Sequence, residues 1–553
     1  MEEMEIQTPF RRAATERQFS LDSGFNTPKL KDYSEYTSKK PKLLSDQEVQ
    51  HFLTTGYLSL QPTLPTQFHD SIFQKIDTTI GKGNEEDNPG NNFLPLVPEI
   101  GLVFKDPVIE GALLSLLGPN YMMHPHRFVH DNPPGSGGQA WHHDTYWGYL
   151  RKVRNHRPWW VMVMYMPQDT PIERGPTGVL PGSQHLHKKY SNATDYEVPH
   201  TGPAGRCMII HYDIWHHKME NFTKLERYMA KFEFIRCHRP QAPHWACLDP
   251  VWHDANFRVP YGLDPVWQAN WRWLTGERSA HETPTVDKIS HLRIQLRSTD
   301  DDKRLIAATK LGRFGQHAIT AANDLGDVLH DEHEPVAINA SYALGAMGKT
   351  GVSILHEAVQ NADGPNESDP RLFFDEGQEW KLGYLVRNAI HGLIAAGPLA
   401  IPELLNLATN GDGLGRRYAA FALGEIGAQS DKIEKSLIQL SQDADTFVRI
   451  SAIEALGLIP ASENTVHALC RVLTKDLDDE SRSHAALALW RLGPNATSAT
   501  MSLSAALSDG DRYVQGYALE ALERISTPEA LGILLSNLKS SRWCSITNSR
   551  NMF

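Results

Sequence analysis

The stretch Trp141-His142-His143-Asp144 decides how the N-terminal half of this 553-residue chain is interpreted. Residues two positions apart on a β-strand point to the same side, so His142 and Asp144 can reach one metal ion together. His216, on a later segment, can supply a third ligand. Two imidazoles and one carboxylate form the ligand set that holds iron(II) on one face and leaves its other coordination positions open. The sequence therefore predicts an oxygen-activating metal site.

The segment around this stretch is rich in predicted strands. From Met122 to Ile235, apolar and polar residues alternate in short runs that Pro and Gly interrupt, which is typical of β-structure. Ser45 and Glu48 have the spacing of a capping box, so we expect the first helix to begin there. A strand is predicted at residues 57–60 and a second amphipathic helix at residues 68–80.

Further motifs accompany the predicted ligands in a fixed order. They are Phe52-x3-Gly56-Tyr57, Glu173-Arg174-Gly175-Pro176-Thr177-Gly178-Val179-Leu180-Pro181-Gly182-Ser183, Asn221 and Arg227-Tyr228. Together with the ligands, these motifs resemble the phytanoyl-CoA dioxygenase family of iron(II)- and 2-oxoglutarate-dependent oxygenases, over roughly residues 44–240. The resemblance implies a double-stranded β-helix, a jelly-roll or cupin-like fold.

The resemblance also implies roles for individual residues. In the family, the His-x-Asp pair and the distal His bind iron, and an Arg eleven residues after the distal His holds the far carboxylate of 2-oxoglutarate. Arg227 stands at this interval from His216, and a planar guanidinium can grip a carboxylate at two points. His143 and Tyr165 are further candidates for cofactor contact. No catalytic residue is predicted beyond the metal ligands.

Several neighbouring side chains have more than one possible role. Candidate walls of a substrate pocket are Tyr146, Trp147 and Trp160, although ordinary core packing explains such aromatic residues equally well. A one-residue register slip would exchange His216 for His217, and only the interval to Arg227 favours His216. Further candidates for the distal ligand are His185, His187 and His211, for which buried, hydrogen-bonded histidines are the commoner explanation. An anionic group of the substrate or cosubstrate can be met by His126, Arg127 and His130.

The predicted reaction follows from the resemblance. It implies Fe(2+), 2-oxoglutarate and O2, release of succinate and CO2, and hydroxylation or desaturation of an unidentified small molecule. Asp144 counts against halogenation, because halogenating relatives lack this carboxylate. A catalytically silent scaffold is the competing hypothesis, against which the complete ligand and clamp set argues. A zinc hydrolase would need a base that no HExxH pattern supplies.

The C-terminal half carries a repeat. An Ala, a Leu four positions on and an apolar or small residue three further on recur in seven copies, at Ala307, Ala340, Ala389, Ala419, Ala452, Ala485 and Ala518. This spacing places the three residues on one helix face. The pattern resembles the HEAT-like repeats of an α-solenoid, with an insertion at residues 364–381. We expect the solenoid to bind a protein partner, to mediate self-association or to cover the active-site mouth.

Composition restricts the remaining expectations. The predicted divisions are a disordered tail at 1–42, an oxygenase domain at 43–285, a repeat domain at 286–540 and a tail at 541–553. A net charge of −12 argues against nucleic acid as a partner. Five scattered cysteines and the absence of a secretory signal or a long apolar run favour a cytoplasmic protein without a membrane span.

Overall fold

The computed structural model describes residues 33–80, 88–144, 153–253, 257–276, 282–362 and 383–540. Within these residues, eight strands form two antiparallel sheets, in the orders β1-β6-β3-β8-β2 and β5-β4-β7. The strands are β1 (Tyr57–Leu60), β2 (Met122–Asn132), β3 (Trp160–Tyr165), β4 (Thr177–Val179), β5 (Val198–Pro199), β6 (Cys207–His211), β7 (His216–Lys218) and β8 (Arg227–Ile235). The predicted β-rich oxygenase fold is confirmed.

Seven helices of the described chain accompany the sheets. They are α1 (Ser34–Thr37), α2 (Asp46–Thr55), α3 (Thr66–Thr79), α4 (Phe93–Leu96), α5 (Pro107–Leu117), α6 (Ala193–Tyr196) and α7 (Asp264–Thr275). The Ser45 hydroxyl and the Glu48 carboxylate cap α2 reciprocally, as predicted from their spacing. Gly56, at a φ of 79°, ends α2 in the left-handed conformation that favours glycine.

Order begins earlier than the sequence predicted. The helical turn α1 precedes residue 43, and the ring of Tyr33 packs edge-on against Phe68 at 4.9 Å. The Lys42 amide donates to the carbonyl of Pro107 at 2.7 Å. Residues 33–42 therefore pack on the oxygenase domain and do not belong to a disordered tail, whereas residues 1–32 and 541–553 lie outside the described residues.

The two faces of β8 have different surroundings, and this distinguishes the inside of the sheet from the outside. Tyr228 donates to Asp77 of α3, and the ring of Phe232 lies 4.6 Å from that of Phe104. These side chains face the N-terminal helices. Because side chains alternate along a strand, the intervening residues Arg227, Met229, Lys231 and Glu233 face the interior.

The C-terminal half is an α-solenoid. Its helices are α8 (Val286–Gln295), α9 (Asp301–Phe314), α10 (Ala322–Asp327), α11 (Glu334–Gly345), α12 (Gly348–Gln360), α13 (Gly383–Ala396), α14 (Ile401–Asn410), α15 (Gly413–Ile426), α16 (Asp431–Leu440), α17 (Thr446–Leu456), α18 (Glu463–Lys475), α19 (Asp479–Leu492), α20 (Thr500–Ala506), α21 (Arg512–Ile525) and α22 (Pro528–Ser540). The predicted repeat alanines occupy the odd-numbered helices from α9 to α21 and are fully buried. The predicted insertion at residues 364–381 lies outside the described residues.

A ladder of ion pairs joins successive repeats. Each Arg near the start of an odd helix binds an Asp 27 residues further along the chain, through Arg304–Asp331, Arg416–Asp443, Arg449–Asp476 and Arg482–Asp509. The regular interval follows from the repeat length, because each pair bridges the same two positions of adjacent units. Each of these arginines stands seven residues before the Leu of its repeat, whereas no local sequence pattern identifies its partner.

The odd-numbered solenoid helices lie against the oxygenase domain. Glu425 of α15 accepts from Asn155 and forms an ion pair with Arg157, both at 2.7 Å. Glu334 of α11 accepts the amide of His187 at 2.8 Å. The oxygenase and repeat regions therefore share a packed, partly polar interface.

Among the described residues, one helical stretch, Leu385–Asn410, is long and apolar enough to cross a membrane by length and composition alone. It comprises α13, a short 3-10 turn and α14, and 44% of its most apolar window is buried in the protein. A packed repeat pair has the same composition, so the stretch is weak support for a membrane span.

Candidate metal centre

The backbone brings two of the predicted ligands together. His142 and His216 exchange two backbone hydrogen bonds of 3.0 Å as an antiparallel bridge, which extends the small sheet beyond β7. Val179 of β4 lies opposite His216 on the other side. The Ser183 hydroxyl accepts the amide of Trp215 at 3.0 Å and fixes the chain immediately before His216.

Asp144 completes a cluster of three ligand atoms. Its Oδ1 lies 3.9 Å from His142 Nε2 and 3.8 Å from His216 Nε2, and the three ligand atoms lie within 4.8 Å of one another. The side chain of Asp144 is only 3% exposed. The structure thus brings together the three residues that the sequence singled out.

The histidines present the nitrogen that metal binding requires. His142 Nδ1 donates to the Ala140 carbonyl at 2.9 Å, and His216 Nδ1 donates to the Ile214 carbonyl at 3.1 Å. Each ring therefore directs the lone pair of Nε2 toward Asp144. Burial lowers the pKa of His216 to about 4, so this ring is neutral near pH 7 and can bind a metal ion.

Lys231 of β8 binds the second oxygen of Asp144. Its ammonium donates to Oδ2 at 2.8 Å and is itself buried. Although burial opposes ionisation, the charge and hydrogen bond of Lys231 hold the pKa of Asp144 well below its usual range. Asp144 is therefore a carboxylate with one oxygen held by Lys231 and the other facing both imidazoles.

Arg227 lies buried at the start of β8, on the same interior face. Its Nε and Nη2 donate to the Gly175 carbonyl at 2.9 and 2.6 Å. Burial lowers the pKa of Arg227 to about 9, and Asp131 opposes this effect. Beside it, His200 is fully buried, and neither of its ring nitrogens has a hydrogen-bond partner among the described residues. Burial is the main cause of the lowered pKa of His200, and the charge of Arg227 lowers it further.

Two of the predicted candidates lie apart from this cluster. His143 donates to the Asp213 carbonyl at 2.7 Å and packs against Trp215, so it faces away from the metal ligands. His217 binds Glu197 at 2.6 Å on the opposite side of β7 from His216. The structure thus gives His217 another partner and leaves His216 facing Asp144.

The three remaining candidate histidines belong to the contact with the solenoid. The rings of His185 and His211 lie 6.2 Å apart, and His185 lies 5.1 Å from His156, which stacks on His391 of α13. The backbone amide of His187 binds Glu334 of α11. Neither His185, His187 nor His211 joins the cluster formed by Asp144 and its partners among the described residues.

The predicted cofactor contact of Tyr165 requires correction. Tyr165 lies on the outer face of β3, where its hydroxyl binds His69 of α3 at 2.8 Å. Because side chains alternate along β3, Tyr165 points away from the interior. Trp160 points toward the interior, since it pairs with Ile235, which lies on the interior face of β8. Tyr146 and Trp147 lie outside the described residues.

Comparisons with known proteins identify the two halves of the chain. Residues 42–229 match the phytanoyl-CoA dioxygenase (PhyH) family. Residues 42–229 are a PhyH domain. Residues 401–490 and 466–544 match HEAT repeats. The PhyH match confirms the predicted class of enzyme, a non-heme, 2-oxoglutarate-dependent oxygenase, and the second match confirms the HEAT-like solenoid.

Solved structures resemble part of the chain. The non-heme monooxygenase ThoJ in complex with nickel is 21% identical, with a TM-score of 0.29, over 38% of this chain and 90% of ThoJ. SnoK, a non-heme alpha-ketoglutarate-dependent carbocyclase from nogalamycin biosynthesis, is 17% identical, with a TM-score of 0.29, over 36% and 88%. EctD from S. alaskensis, with 2-oxoglutarate and 5-hydroxyectoine, is 16% identical, with a TM-score of 0.30, over 40% and 94%. A search of curated proteins gave no match.

The sequence did not identify three interior residues of the PhyH domain. Lys231 and Glu233 stand four and six positions after Arg227, so on a strand they share its face. Two charges at even intervals in an otherwise apolar strand were a usable signal. His200 carried no comparable signal, because its place beside Arg227 depends on the pairing of β4 with β5.

Proposed function

We propose that this protein is an iron(II)- and 2-oxoglutarate-dependent dioxygenase that hydroxylates or desaturates a small organic molecule. The convergence of His142, Asp144 and His216 is the observation that supports this proposal most strongly. The donor set suits iron(II), because one face of the ion is bound and the other remains open. Iron and 2-oxoglutarate bound here would react with O2 and so supply the oxidant for the reaction.

The protein's own residues fix the metal and its surroundings. His142 and His216 offer Nε2, and Asp144 offers Oδ1. Because Lys231 holds Oδ2, the carboxylate is oriented to bind the metal through a single oxygen. Asp144 and His216 are buried, whereas His142 is 33% exposed, so the cluster is open to solvent on the His142 side.

Arg227 and His200 are the residues that we expect to hold the far carboxylate of 2-oxoglutarate. Arg227 keeps its charge despite burial, and the Gly175 carbonyl orients its guanidinium. The buried ring of His200 has two nitrogens without partners among the described residues. An unpaired buried polar group is costly, and a bound carboxylate would satisfy it.

Oxygen-dependent formation of succinate tests the proposal. The full-length protein is loaded anaerobically with iron(II) and 2-oxoglutarate, O2 is admitted, and succinate is quantified. We expect turnover by the wild type, loss of turnover in His142→Ala and Arg227→Met, and retention in the matched control His217→Ala. No succinate from the wild type, together with no binding of iron(II), would favour a catalytically silent scaffold.

A further inference from the structure

Three charged side chains lie in a row on the interior face of β8. Arg227 begins the strand, Lys231 contacts the metal ligand Asp144, and Glu233 follows two residues later. Successive residues on one face of a strand are about 7 Å apart. Glu233 therefore lies on the opposite side of the metal ligands from Arg227, where a substrate must approach if 2-oxoglutarate occupies the Arg227 end.

Glu233 is a buried carboxyl group with an unsatisfied oxygen. It is 2% exposed, and its Oε1 has no hydrogen-bond partner among the described residues. Its Oε2 lies 3.3 Å from His124 Nδ1, but that nitrogen already accepts the amide of His126 at 2.9 Å. Burial raises the pKa of Glu233 to about 8. A ligand that donates to Oε1 would offset this cost.

Helix α21 of the solenoid covers this end of the PhyH domain. The Tyr513 hydroxyl contacts His126 Nδ1 at 2.9 Å, and the Tyr517 hydroxyl makes a short hydrogen bond with His124 Nε2. Gly516 lies so close to the domain that a Cβ atom there would come within 2.8 Å of the Pro125 ring. Burial is the largest cause of the raised pKa of Tyr517, and the charge of Glu233 is the second largest.

Aromatic rings surround His124, the neighbour of Glu233. His124, next to Glu233, lies 5.0 Å from the ring of Trp160 and 5.3 Å from that of Tyr517. The ring of Tyr513 stacks on His124 at 6.0 Å. A carboxyl group beside a cluster of electron-rich rings can bind an alkylammonium group, through charge and cation–π attraction. Asp144 neutralises the nearby ammonium of Lys231, so Lys231 competes little for Glu233.

We propose that Glu233, beside the cluster that His124 forms with Trp160 and with Tyr513 and Tyr517 of the solenoid, is the substrate-recognition group and binds a substrate that carries an alkylammonium nitrogen. The last repeat of the solenoid is then a wall of the active site. This inference rests on the proposed oxygenase function, because that function assigns the Arg227 end of the interior to the cosubstrate.

Calorimetry with a matched pair of probes tests the inference. Full-length protein, with and without anaerobically bound iron(II) and 2-oxoglutarate, is titrated with butylammonium and with butanol, which has the same chain but no charge. We expect butylammonium to bind at least ~10-fold more tightly, as a charge-assisted hydrogen bond provides. Glu233→Gln should abolish this preference, and Tyr517→Leu, which removes an aromatic ring, should reduce it.

The control is Tyr342→Leu, which removes a Tyr ring whose hydroxyl binds His156 at 3.0 Å elsewhere in the same interface. It should leave the preference unchanged. Equal binding of the two probes, or a preference that survives Glu233→Gln, would overturn the inference. If Glu233→Gln does not fold, an unaltered preference in Tyr513→Leu and Tyr517→Leu overturns it instead. Loss of iron and 2-oxoglutarate binding with an intact amine preference would contradict only the oxygenase proposal.

Discussion

The two oxygens of Asp144 have separate partners, and this determines how the residue can act. Oδ1 faces the Nε2 atoms of His142 and His216, while Oδ2 accepts from Lys231. The alternation of side chains predicted the His142 and Asp144 pair from the sequence. Lys231 was not predicted, because its contact depends on how β8 lies beside the segment that carries Asp144.

Lys231→Met should weaken iron(II) binding. The change keeps the length of the side chain but removes the charge that holds Oδ2, so Asp144 loses its orientation and its stabilisation as an anion. Groups that support metal ligands typically contribute ~10- to 100-fold in affinity, and we expect a loss in this range by anaerobic titration. Lys75→Met, which breaks a pair with Glu99 remote from the ligands, is the control. An unchanged affinity in Lys231→Met would contradict the assigned role.

His200→Ala should weaken 2-oxoglutarate binding and leave iron(II) binding intact. The ring of His200 lies beside Arg227, and neither of its nitrogens has a partner among the described residues. Loss of one hydrogen bond to a charged group predicts an affinity decrease of about 10-fold. Anaerobic calorimetry with each ligand separates the two effects. Equal losses for iron and 2-oxoglutarate would indicate a general structural role for His200.

At the scale of elements, the solenoid was predictable and its docking was not. The Ala and Leu spacing identified the inner helices because helix periodicity is local in sequence. The contact of Glu425 with Arg157 joins residues 268 positions apart, and no local pattern encodes such a pairing. The same holds for Tyr165, whose outward direction follows from the register of β3 within its sheet.

The ion-pair ladder should contribute modestly to the stability of the solenoid. Arg449 and Asp476 bridge two repeats at 3.1 Å, and their side chains are 15% and 13% exposed. A double-mutant cycle with Arg449→Met and Asp476→Ala should give a coupling free energy of about 1 kcal/mol by urea unfolding. A coupling free energy near zero would show that the attraction between Arg449 and Asp476 does not stabilise the solenoid.

The whole molecule joins a PhyH domain to a solenoid. The odd-numbered helices of the solenoid contact the domain. The contacts begin with Glu334 of α11 and end with Tyr513 and Tyr517 of α21. The roles predicted for the solenoid were a lid over the active-site mouth, binding of a protein partner and self-association, and all three stay predictions.

Stability of the metal-free protein should fall as the pH falls below about 6.5. Burial lowers the pKa of several histidines to about 3 or 4, among them four that are not metal ligands: His69, His126, His200 and His391. Below pH 6.5 the unfolded chain binds protons at these positions and the folded protein does not, so protons favour unfolding. Glu454 and Glu480 raise the pKa of His484 to about 9 against the effect of burial. This histidine stabilises the folded protein as the pH falls from about 9 to 6.5, and its contribution is constant at lower pH.

Thermal unfolding at constant ionic strength measures this dependence. Each of the four histidines can lower the free energy of unfolding by up to about 1.4 kcal/mol per pH unit. We therefore expect the Tm to drop by roughly 5 °C or more between pH 7 and pH 5.5. A Tm that stays constant over this interval would mean that the buried histidines are protonated in the folded protein.

Anaerobic binding of iron(II), followed by 2-oxoglutarate, tests the central claim most directly. We predict one iron(II) per chain in the wild type and none in Asp144→Ala, and 2-oxoglutarate binding that requires both iron and Arg227. Absence of iron binding by the wild type, or 2-oxoglutarate binding that Arg227→Met does not affect, would contradict the account.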